Sequence, residues 1–146
     1  AQDILEQQFG VSSTVYSVTS YKALYDEGNE CERFNRLHPG AERQPFVCQA
    51  VDHQGGPIIA ASDYVKAVPL SIARWLPCPY TVLGTDGFGR SEARKELRRF
   101  FEVDAENIAL AALTELAVQG SYPKNKIAAA IKKLGLDPEK PNQLRT

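Results

Sequence analysis

The residues best placed for chemistry follow two short apolar runs. Asp63 and Tyr64 stand just past residues 57–62, and Asp86, Phe88, Arg90 and Ser91 stand just past residues 80–83. In open α/β sheets ligands bind outside the carboxyl ends of the strands, so these two carboxylates are the leading acid/base or binding candidates. A plainer role competes: Asp caps turns through neighbouring backbone, and Arg90 or Arg94 is available to pair with either carboxylate. The stretch from Gly84 to Ser91, Gly-Thr-Asp-Gly-Phe-Gly-Arg-Ser, reads as a strand end, a glycine turn and a helix start. Ser91 suits the N-cap and Glu92 the first helical turn. That geometry gathers backbone N–H groups suited to a phosphate or another anion. It matches neither the dinucleotide fingerprint nor a phosphate loop with its Lys-Ser/Thr pair. The bland alternative is a tight connection, with Phe88 packed inward and Arg90 paired with Asp86 or a neighbouring chain.

Elsewhere the chemistry is thin. His38 and His53 are the only histidines, and neither sits in a metal-ligand spacing. Asp52 and His53 make an acid/base pair only if they converge, and adjacent residues point apart. Cys31 is flanked by Glu30 and Glu32; if close in space, they raise its pKa and oppose a reactive thiolate. Cys31, Cys48 and Cys78 are odd in number and too widely spaced for a metal motif, which suits reduced thiols in a cytoplasmic protein. No serine occupies a nucleophile elbow. The run Arg94-Lys-Glu-Leu-Arg-Arg99 mixes acid with base on one helix and reads as a solvated or interface face, not a nucleic-acid site.

Three runs read as the strands that position these groups. Residues 13–20 are dense in β-branched and aromatic side chains, residues 57–62 form a continuous apolar run suited to a sheet covered on both faces, and about five or six residues around Tyr80, Val82 and Leu83 form the third. Helices are expected over 4–9, over 21–26 and again over 32–37 after an interruption at Gly28-Asn29-Glu30, over 45–51 (where Phe46-Val47-Cys48 suits a strand equally well), 68–76, 91–101, 104–119 and 124–134. Asp104 caps one of them, and Gly10, Gly120 and Gly135 close three. Residues 137–146 are polar and proline-rich and read as an extended tail beside a domain over 1–136. Alternating strands and helices predict an α/β fold of three layers, α/β/α, around a mostly parallel sheet. Three strands are thin cover for so much helix.

A chain of 146 residues suits one domain. Its net charge of −1 gives no basic excess for nucleic acid or an anionic membrane surface. No apolar run reaches transmembrane length, and no signal peptide is recognisable. The sequence has no methionine and opens in what reads as the back half of an amphipathic helix. That predicts a piece of a longer chain lacking the first strands of its sheet; processing or an engineered truncation is the alternative.

Ser17-Val-Thr-Ser20 with Tyr21-Lys-Ala-Leu24, and Leu83 to Ser91 followed by Leu97-Arg-Arg-Phe-Phe-Glu-Val-Asp104, resemble transketolase C-terminal domains. Three stretches are similar, more narrowly, to the homodimeric bacterial pyruvate dehydrogenase decarboxylase component. They are Cys31-Glu-Arg-Phe-Asn-Arg-Leu-His-Pro39, Ala61-Ser-Asp-Tyr-Val-Lys66, and Gly84 to Ser91, in the right order with the right gaps. The resemblance runs from about Ile4 to Pro141.

It implies a parent enzyme that uses thiamin diphosphate and magnesium, decarboxylates pyruvate and passes the acetyl unit to lipoyl groups on a dihydrolipoyl acetyltransferase core. It implies that the two preceding domains bind the cofactor and that strands precede the first helix seen here, one of them central to the sheet. This chain is then expected to hold no catalytic residue, no cofactor and no metal ligand. No catalytic role passes to His38. The implied role is dimer architecture, with the upstream catalytic domains, a second copy and, through the parent, the acetyltransferase core as partners. Two other functions stand beside it. One is an independent α/β module docking an anionic ligand or a partner at the turn from Gly87 to Ser91. The other is a complete small enzyme using Asp63, Asp86 or Asp52-His53, which the poverty of paired acid/base residues disfavours.

Overall fold

Two of the three expected strands form, and they pair with each other. The computed structural model describes residues 1–51 and 55–145. β1 (Ile58–Ala61) and β2 (Tyr80–Leu83) run parallel, with Ile58 opposite Tyr80 and Ala61 opposite Leu83. The α/β reading with a parallel sheet therefore holds, on two described strands. Residues 13–20 join no ladder, which corrects the expectation of a strand there. Strand propensity measures how a side chain fits against neighbouring strands. No strand among the described residues stands beside this segment, and Val15 is 70% exposed.

Helices α1 (Gln2–Phe9), α2 (Tyr21–Leu37) and α3 (Phe46–Ala50) precede the sheet. α2 corrects a second expectation, because it runs unbroken through Gly28-Asn29-Glu30. Gly28 is there for a tertiary reason. A Cβ on it would lie 2.7 Å from three ring carbons of Trp75. The helix gives up propensity at that position to let an indole lie against its backbone. The Ser20 side chain accepts from the Ala23 N–H at 3.1 Å and starts the helix as expected.

Between the strands, the helix expected over 68–76 is broken into α4 (Ala67–Leu70) and a 3-10 turn at Ala73–Trp75. After β2 come α5 (Arg94–Phe100), α6 (Ala105–Val118) and α7 (Ile127–Lys133), the last preceded by a 3-10 turn at Lys124–Lys126. Asp104 caps α6, its Oδ1 accepting from the Asn107 N–H at 2.9 Å. Gly10, Gly120 and Gly135 take φ of 67°, 82° and 63° at helix ends, the left-handed backbone that favours glycine.

Successive strand residues face opposite sides of a sheet. Ile59 packs on a cluster built by Leu5 of α1, Leu113 of α6 and Ala130 of α7. On that face the Thr81 hydroxyl donates to Glu115 of α6 at 2.6 Å. Tyr80 packs on the opposite cluster, formed by Val47 of α3 with Ile72 and Trp75. The sheet thus lies between two helical layers. Its outer edges, along β1 and along β2, pair with no other described strand. Residues after Leu136 stay close to the body and end in a 3-10 turn at Gln143–Arg145.

Candidate functional site

The loops that follow β1 and β2 are latched together at the carboxyl end of the sheet. Asp86 Oδ1 accepts from the Lys66 N–H at 2.9 Å. The Thr85 N–H donates to the Tyr64 carbonyl at 3.0 Å, and the Thr85 hydroxyl donates to the Asp63 carbonyl at 2.7 Å. Gly84 is required by close approach: a Cβ there would lie 2.7 Å from the Tyr64 carbonyl oxygen and 3.0 Å from the Lys66 nitrogen. Asp86 is therefore committed to holding the loop of residues 62–66, which is the turn-capping role and not a free carboxylate.

Asp63 and Asp86 do come to one end of the sheet, Asp86 on the Lys66 N–H and Asp63 on the wall of a cleft. Asp63 lines an open cleft of about 1120 Å³ beside Arg94, Lys95 and Arg98 of α5 and the first turn of α6. The cleft wall carries as many carboxylates as cations, so it has no strong charge preference. Tyr64 is 71% exposed. Phe88 is 90% exposed, which corrects the inward-packed reading of that side chain. Arg90 pairs with no Asp86: its guanidinium lies 4.1 Å from the centre of the Phe100 ring, a cation–π contact. Ser91 caps nothing, because α5 begins three residues later with Ala93 at its N-cap and no side-chain cap bond. An anion site at this turn therefore lacks the helix N-terminus on which the sequence argument for it rested.

His38 and Cys31 serve packing. His38 Nδ1 lies 3.0 Å from the Phe34 carbonyl at the end of α2, and its ring stacks on Phe34 at 4.1 Å. The Asp52–His53 pair lies outside the described residues. Among the described residues no three His, Cys, Asp or Glu side chains gather as metal ligands. Cys31 is buried and donates to Glu27 Oε1 at 2.9 Å. That hydrogen bond, then burial and the Glu27 charge, push its pKa up to about 11. Of the two sequence neighbours expected to act, Glu30 adds a smaller raising charge, while the leading partner is Glu27, which the helix brings onto the same face one turn earlier. Burial raises Cys48 and Cys78 as well.

A prediction follows for Cys31. With a pKa near 11, about a thousandth of it is thiolate at pH 8, so alkylation by iodoacetamide runs about a hundredfold slower than at an ordinary thiol. Mass mapping of the modified peptide against free cysteine checks this; a rate equal to that of an ordinary thiol contradicts it. The raised pKa also ties stability to pH. The stabilisation is complete below the ordinary thiol pKa and is lost as pH climbs through about 11.

Sequence reasoning missed Lys66, Thr85 and Gly84 as the latch and Lys140 as a partner of α5. The spacing of turn residues marked the loops but gave no sign of which backbone groups they would meet.

The profile of the transketolase-like TK C-terminal domain matches residues 1–104. The pyruvate dehydrogenase E1 component of Cupriavidus necator is 46% identical over 145 residues, 99% of this chain and 16% of that protein. The pyruvate dehydrogenase E1 component of Pseudomonas aeruginosa is 47% identical over 146 residues, and that of Escherichia coli 44% over 144. Those alignments take in 99% and 97% of this chain and 17% and 16% of the relatives. The chain thus spans about a sixth of the length of the curated relatives it matches, 16–17%. The profile match takes in both strands, the latched loops after them and α5, and on that ground the chain belongs to the transketolase-like TK C-terminal domain family.

Proposed function

We propose that this chain is the non-catalytic C-terminal domain of a thiamin diphosphate-dependent pyruvate dehydrogenase that decarboxylates pyruvate and acetylates lipoyl groups. The observation that carries the reading is identity of 44–47% to pyruvate dehydrogenase E1 components across nearly the whole chain. Its role is architectural: it supports the upstream catalytic domains and a homodimer, in the cytoplasm, with a dihydrolipoyl acetyltransferase core reached through the parent. Among the described residues no helix is long and apolar enough to cross a membrane. The same reading divides the chain into a body over 1–136 and a terminal segment over 137–146.

The residues present do not fit the cofactor. Magnesium takes oxygen ligands in near-octahedral geometry with carboxylate and phosphate donors. Asp86 is spent on the Lys66 N–H, and Asp63 faces a wall of mixed charge. On this reading thiamin diphosphate and magnesium belong to the upstream domains. The candidate residues Asp63, Tyr64, Asp86, Phe88, Arg90 and Ser91 belong on this reading to loops that present an interface.

The unpaired outer edges of the sheet and the unladdered residues 13–20 support the same assignment, because a free strand edge and a β-forming segment are both templates for pairing with further chain. Calorimetry with thiamin diphosphate and magnesium should give no heat of binding to this chain alone, while the longer protein binds. Amides at 15–19 should exchange rapidly in the isolated chain and slowly in the longer protein. Tight magnesium-dependent binding to the chain alone, or slow exchange at 15–19 in a proven monomer, would sink the proposal.

A further inference from the structure

The residues after Leu136 hold two separated parts of the chain. Lys140 Nζ donates to the carbonyls of Arg99 at 2.9 Å and Phe100 at 2.7 Å, at the end of α5, and pairs with Glu102 at 3.1 Å. An ammonium has three protons and no acceptor, and this site offers three oxygens. Both carbonyls lie in the last turn of α5, where intrahelical partners run out, and the Arg99 carbonyl also accepts a long bond from the Glu102 N–H at 3.4 Å. Glu102 is the one non-glycine residue with positive φ, 59°, among the described residues. It ends α5 where glycine is usual, with the Val103 N–H reaching back to the Arg98 carbonyl at 3.0 Å. Further along, Gln143 Nε2 donates to the Gly84 carbonyl at 3.4 Å. Leu144 lies against Gly87, 3.7 Å from where a Cβ would stand.

α5 needs outside support. It has seven residues, no buried side chain and no N-cap hydrogen bond, and helices that short do not persist on local bonding. Phe88 lies on the loop between the two anchored points and is almost fully exposed. β1, β2 and α6 contribute no atom to the bonds just described.

We propose that residues 137–145 are a clasp that sets the order of the loop 84–93 and of α5, and with it the presentation of Phe88. A change in the clasp reaches that loop without disturbing the sheet. The test is amide hydrogen exchange on the full chain carrying Lys140→Met, which keeps an apolar stem and removes the donors. Amides over 85–101 are expected to exchange about tenfold faster, with α2 and α6 unchanged, the pattern of a local opening. A second variant, Leu144→Ala, alters an exposed side chain and is expected to speed exchange over 85–92 alone. Unchanged exchange over 85–101 in the Lys140 variant overturns the proposal, as does equal acceleration in α6. Should Lys140→Met fail to fold, unchanged exchange over 85–92 in the Leu144 variant overturns it.

Discussion

Trp75→Ala lowers the stability of the chain by about 3–5 kcal/mol, the cost of removing a buried aromatic side chain from a core. Trp75 is 7% exposed and sits in the cluster with Val47 and Ile72. Its indole N–H donates to Glu32 of α2 at 2.7 Å, and its ring occupies the space over Gly28. Its carbonyl accepts from the Cys48 thiol at 2.6 Å. The residue therefore joins α2, α3 and the connection between the strands. Urea denaturation reads the loss as a lower midpoint at unchanged slope. Gly28→Ala tests the same contact from the other side. The new Cβ would meet the ring at 2.7 Å, and overpacking of that kind costs about 1–3 kcal/mol. On the Trp75→Ala background the sign reverses, because alanine outranks glycine in a helix by about 0.8–1.0 kcal/mol. Simple additivity of the two substitutions would show that the ring is not what excludes a side chain at position 28.

Leu113→Ala costs about 2.7–5 kcal/mol, the range for leucine truncated in a fully packed site. Leu113 has 0% exposure and lies in the cluster that joins α1, α6 and α7 beneath the sheet. Its neighbours Ala109, Ala112 and Ala130 are too short to swing into the gap, so a cavity remains. The midpoint of thermal unfolding falls by on the order of 10 °C. Val118→Ala on the same helix is the control. Val118 is exposed, and its loss changes stability by less than about 0.5 kcal/mol. Similar effects at the two positions would mean that α6 does not face the sheet as described.

Where the sequence argument succeeded, the determining physics was local. Ser20 and Asp104 cap the helices that follow them, because a cap needs only a side-chain oxygen and an N–H three residues on. The apolar runs at 58–61 and 80–83 became the two strands, and the loops after them did bring Asp63 and Asp86 to one end of the sheet. Where it failed, a distant partner decided. Gly28 looked like a break and is a seat for Trp75, 47 positions away along the chain. Residues 13–20 have the composition of a strand, but a ladder needs a neighbour as well as a propensity. Ser91 had the chemistry of a cap, yet the helix starts after it.

The sequence by itself determined the α/β class, the glycine-closed ends of α1, α6 and α7, and a family likeness carried by ordered short stretches from Ser17 to Asp104. These depend on side-chain type, on φ and on spacing, all of which act within a turn or two of chain. Only the tertiary structure decided that Asp86 is spent on Lys66, that Phe88 faces solvent, that Arg90 lies on Phe100, and that Lys140 closes α5. The Asp86 and Lys140 contacts join residues 20 or more apart, and the exposure of Phe88 depends on how those loops are held. Long-range pairings are set by which buried or latched arrangement satisfies the most groups at once, and no window of sequence contains that information.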